Sequence, residues 1–63
     1  MNLDELTEGA VLTEEEISKY GLERRDLVIA GVSLYGKGRL RVPLEVTSDG
    51  YKVGPMYELP KIG

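Results

Sequence analysis

"LVIAGVSLYGKGRLRVPLEV", Leu27 to Val46, is the stretch whose reading decides the fold. Val28, Ala30, Val32 and Leu34 alternate with Ile29, Gly31, Ser33 and Tyr35, and then Leu40, Val42, Leu44 and Val46 alternate with Arg39, Arg41, Pro43 and Glu45. A period of two marks strands that bury one face, so the stretch reads as two strands. If Gly36-Lys37-Gly38 is the hairpin loop, Tyr35 pairs with Arg39 and the inner pairs are all apolar: Leu34 with Leu40, Val32 with Val42, Ala30 with Leu44, Val28 with Val46. A slip of one residue sets Val32 against Arg41, which argues for this register.

The pattern continues downstream. Asp49-Gly50 is a favoured type I′ loop, and it pairs Ser48 with Tyr51, Val46 with Val53, Leu44 with Pro55, Val42 with Tyr57 and Leu40 with Leu59. One face stays apolar across the resulting three-stranded antiparallel meander. Pro43 lacks an N–H for the ladder, so a bulge or local break is expected there.

Upstream, Thr13-Glu14-Glu15-Glu16 has the form of a capping box, and three acids suit the positive end of a helix dipole. A helix is therefore expected from Glu14, ending after Tyr20 at Gly21, which takes the left-handed conformation without steric cost. Leu3, Leu6, Ala10, Val11 and Leu12 fit either a turn of helix or a short strand. The expected fold is α+β, a single small domain over 1–63, with a short N-terminal capped helix packed on the three-stranded β-meander. Ile17, Tyr20 and Leu22 would cover Val28, Ala30, Val32, Leu40, Val42 and Val53.

The alternative is a minimal winged helix-turn-helix. Glu14 to Tyr20, the turn at Gly21-Leu22 and Glu23 to Ala30 would form the two helices, with Gly36 to Gly38 as the wing. Over residues 9–47 this is loosely similar to the winged-helix pattern. It leaves 51–59 without a role and places β-branched Val28 and Ile29 in a helix.

At 63 residues such a domain hides only about 60% of its unfolded surface and needs further support. The chain has neither cysteine nor histidine, which removes disulfides and imidazole or thiolate metal sites and leaves a partner subunit or very regular local structure. It also excludes nucleophilic catalysis by Cys or a Ser-His pair. The carboxylates at Asp4-Glu5 and Glu14 to Glu16 are explained by helix starts, one acid in Ser48-Asp49-Gly50 is too few for calcium, and Gly36-Lys37-Gly38 lacks the third glycine of a dinucleotide loop. No cofactor, metal, small-molecule substrate or enzymatic activity is expected. No apolar run approaches the roughly 18 residues of a membrane span and no basic and apolar leader precedes the domain, so the expectation is a cytoplasmic protein with no membrane partner.

Charge is unevenly distributed. Residues 1–26 hold eight acids and three bases, whereas 27–63 hold three acids and five bases, for a net −3. The overall sign opposes nucleic-acid coating, yet a basic face is available. Tyr35, Lys37, Arg39 and Arg41 form a basic hairpin in which Arg41 is set opposite Glu58, and the plainer reading of the stretch is a solvated turn. Ile29, Pro43 and Met56 would make an apolar strip on the outer face, suited to self-association. The functional expectation is a small non-enzymatic protein-binding module or regulator that contacts another protein or itself, as a homo-oligomer, through Tyr35, Lys37, Arg39, Arg41, Met56 and Ile29. The alternative is a DNA-binding regulator that places Arg24, Arg25, Lys37, Arg39 and Arg41 on phosphates.

Overall fold

The computed structural model describes residues 3–29 and 31–61, with Leu27 and Val28 described by their backbone. A 3-10 turn at Leu3–Glu5 leads to strand β1 (Val11–Leu12) and helix α1 (Glu14–Tyr20). Strands β2 (Glu23–Ile29), β3 (Val32–Lys37), β4 (Leu40–Thr47), β5 (Gly50–Val53) and β6 (Tyr57–Glu58) follow. All pairings are antiparallel. The strand order is β1-β5-β4-β3-β2, and β6 runs beside the first residues of β4.

Helix α1 forms where its local signals place it. Thr13 Oγ1 accepts from the Glu16 amide at 3.2 Å, Glu16 Oε1 accepts from the Thr13 amide at 2.9 Å, and Gly21 closes the helix at φ 75°. The segment before it forms both a helical turn and a strand, so the two readings of residues 3–12 are each right in part.

The sheet corrects the expected fold. It has six strands, five of them in one continuous path, in place of a three-stranded meander with a helix packed on it. The long strand expected from Leu27 is two strands folded back at Gly31, whose φ of 80° suits a tight reversal. Glu23–Ile29, the proposed recognition helix of the winged alternative, is a β-strand. Its register against β3 shifts between Arg24 and Asp26 and again between Leu27 and Ile29. These bulges break the period of two and, with the run of charges from Glu23 to Asp26, hide the strand from a periodicity reading.

Both expected registers also change. Lys37 pairs with Leu40, so the loop is Gly38-Arg39. Gly38 has φ 61°, which a type II′ turn takes at its first central position. Tyr35 now faces Val42, Ser33 faces Leu44, Leu34 faces Pro43 and Val32 faces Glu45, so β3 presents the opposite set of side chains to the core. At the next hairpin Thr47 pairs with Gly50 around Ser48-Asp49. Thr47 Oγ1 accepts from the Asp49 amide at 3.3 Å and donates to Gly50 O at 3.0 Å, and this side-chain bonding holds the turn one residue earlier than Asp49-Gly50.

The interruption expected at Pro43 falls in its partner. The β3 ladder passes Leu34↔Pro43 without a shift, while β5 ends at Val53 and β6 resumes at Tyr57. Pro43 O accepts from the Gly54 amide at 2.8 Å, so the side of Pro43 that has no N–H faces the gap.

The core consists of Leu6, Leu12, Ile17, Tyr20, Leu22, Val42, Leu44 and Val53. Leu44 and Val42 have no exposed surface, and burying each contributes about 1.5–3 kcal/mol. Val32 and Leu40, expected in the core, are half-buried, while Ala30 and the side chain of Val28 lie outside the described residues.

Candidate functional site

Strand order determines which charged residues meet. The start of β2, the end of β3, the Gly38-Arg39 loop and the start of β4 all lie at one end of the sheet. That end gathers Arg24, Arg25, Lys37, Arg39 and Arg41, five of the eight basic residues, with Glu23, Asp26 and Glu58 as its acids. Five bases and three acids leave it at +2, and the other three bases and eight acids leave the remainder at −5. Arg24 and Arg25 thus reach the same end of the sheet as the hairpin cations, from a strand and not from the recognition helix of the winged alternative.

The five cations differ in availability. Arg24 and Arg39 are exposed, on the edge strand and at the hairpin tip. Lys37 lays its side chain over the end of α1: a Cβ placed on Gly21 would be 3.3 Å from Lys37 Nζ. A cation there suits the negative end of the helix. Arg41 is half-buried and folds over its own hairpin, with Nη1 donating to Gly38 O at 2.8 Å and Leu40 O at 2.9 Å. It faces Tyr57, while Glu58 sits opposite Leu40, so the expected pairing of Arg41 with Glu58 is replaced by these carbonyl bonds. Arg25 approaches the same place from β2, since a Cβ on Gly36 would meet its Cγ at 3.2 Å.

Tyr35 and Arg41 lie on opposite faces, because Tyr35 pairs with Val42 and Gly36 with Arg41. Tyr35 turns to the helix side and packs against the core. The expected apolar strip of Ile29, Pro43 and Met56 does not form. Met56 packs against the core and Pro43 is half-buried beside Leu34, while Ile29 stays 64% exposed.

Two hollows flank the sheet. A cleft of about 520 Å³ runs over Val32, Pro43, Gly54 and Pro55, with exposed Glu8, Glu45 and Lys52 on its rim. A smaller one of about 250 Å³ lies between α1 and the sheet, lined by Glu14, Ile17, Ser18, Leu22, Tyr35 and Tyr51. In it Tyr51 Oη donates to Glu14 Oε1 at 3.1 Å. That bond, together with the Glu14 charge, raises the Tyr51 hydroxyl above its ordinary pKa. The sequence reading missed Glu14 and Tyr51 as a pair, because 37 residues separate them and Glu14 was accounted for as an acid of the helix start.

Among the described residues no group of three or more His, Cys, Asp or Glu could hold a metal ion, and no helix is long and apolar enough to cross a membrane. No protein-family model matches the chain, and no curated protein or solved structure is significantly similar to it.

Proposed function

We propose that this chain is a small non-enzymatic binding module that docks another protein through the basic end of its sheet, the partner presenting an acidic surface. One observation carries the reading: Arg24, Arg25, Lys37 and Arg39, drawn from two segments of the chain, converge on one end at +2 while the remainder is at −5. Such a split orients an approaching acidic partner before contact. The absence of Cys and His supports a role without covalent chemistry.

DNA binding at the same end is the second reading, favoured by Arg39 standing exposed at the tip of a hairpin beside Arg24 and Arg25. The net charge of −3 weighs against it, and Arg41 is committed to its own turn. Fluorescence anisotropy tests both. A labelled oligoglutamate peptide should bind at about 50 mM salt and weaken by 200 mM, a labelled random duplex should bind less well, and Arg24→Glu with Arg39→Glu should abolish peptide binding.

A further inference from the structure

We infer that the hollow between α1 and the sheet is a site for an alkylammonium group, as carried by a lysine side chain of another protein. The hollow borders the basic end, since Tyr35 pairs with Arg24, but it is lined by other side chains and does not depend on the reading given to that end.

The chemistry of the lining selects the ligand. Tyr35 from β3 and Tyr51 from β5 are both half-buried and stand on either side of β4, facing Val42 and Val46 respectively. They supply two aromatic rings to the hollow, and Ile17 and Leu22 supply its apolar wall. Glu14 is the one carboxylate among the lining residues and no Lys or Arg is among them, Lys37 lying beside the hollow over Gly21. Tyr51 Oη donates to Glu14 Oε1 at 3.1 Å, which fixes the carboxylate beside the phenol and keeps the phenol in its neutral, donating form. Aromatic rings with one carboxylate are complementary to a cation with an apolar body, because the rings attract the charge by their quadrupoles and the alkyl groups lose water against them. An anion would meet Glu14. At about 250 Å³ the space accommodates a lysine head group or its methylated forms.

The probe is choline chloride, compared with its uncharged carbon isostere 3,3-dimethylbutan-1-ol, titrated into the folded protein and followed by amide chemical shifts. Choline should give saturable shifts at Glu14, Ser18, Tyr35 and Tyr51, with an affinity about tenfold above the alcohol. Glu14→Gln should remove most of that difference, and Tyr35→Leu should weaken choline severalfold while the far-UV circular dichroism stays native. Equal affinity for the two compounds would reduce the site to an apolar crevice, and no shifts at these residues would remove it. A third outcome also overturns the inference as stated: Glu14-dependent self-association that choline disperses would assign the hollow to a second copy of this chain.

Discussion

Arg41 and Gly36 face each other across β3 and β4, and a Cβ on Gly36 would stand 2.6 Å from Arg41 Nη1. The guanidinium occupies the space that a side chain at 36 would fill, and from there it reaches the carbonyls of Gly38 and Leu40. Gly36 is buried between Arg41 on one side and Arg25 on the other. The glycine thus sets the arginine's position.

Replacing Gly36 by alanine should therefore displace Arg41. The new methyl would also press on Leu40 O at 3.0 Å, a backbone atom that cannot swing away. Thermal or denaturant unfolding should show a loss of about 1–3 kcal/mol, typical of overpacking. An equally stable variant with the Arg41 side chain still bonded would contradict the packing described.

A second close approach holds β1 in the sheet. Gly50 has φ 141°, and a Cβ on it would meet Leu12 O at 2.6 Å. Gly50→Ala should destabilise the chain by about 2 kcal/mol or more and loosen β1 selectively. Amide exchange at Val53, which donates to Ala10 O at 2.8 Å, should accelerate more than exchange at the β3–β4 ladder. Uniform acceleration would mean that β1 does not open separately.

The bond from Tyr51 to Glu14 predicts an alkaline signature. The folded pKa of Tyr51 is raised, so its contribution to stability is complete below the ordinary tyrosine range and is lost as pH rises through the folded value. In a spectrophotometric titration Tyr51 should ionise above the ordinary tyrosine range. Glu14→Gln should bring it back toward the ordinary tyrosine range, and Tyr51→Phe should delete it. A titration unchanged by Glu14→Gln would rule out Glu14 as the cause.

The helix was legible in the sequence because its signals are local: Thr13 and Glu16 bond each other three residues apart, and Gly21 ends the helix beside them. The sheet was legible as a class and not in detail. Gly36 and Gly38 offer two hairpin loops that differ in which face of β3 turns inward, and apolar pairing favours the wrong one. The choice falls to Gly38 at positive φ and to the fit of Arg41 over Gly36, both visible only in three dimensions. Strand β2 was hidden by its bulges and by its charges from Glu23 to Asp26. Of the candidate residues, the arginines and Lys37 were grouped only under the winged alternative, with Arg24 and Arg25 on a helix, whereas the order β4-β3-β2 brings them to one end of the sheet on a strand. Met56 was misplaced because it lies in the break between β5 and β6, and β6 pairs with β4 one residue away from the expected register.

The central claim, that the basic end docks an acidic protein surface, is tested most directly by anisotropy of a labelled oligoglutamate peptide against the wild type and Arg24→Glu/Arg39→Glu, both residues being exposed. At about 50 mM salt the wild type should bind, with affinity falling several-fold by about 200 mM, and the double variant should keep its fold and lose the peptide. Absence of binding at the lower salt, or binding that survives the double reversal, would contradict the claim. Tighter binding of random duplex DNA than of the peptide would transfer the same surface to nucleic acid.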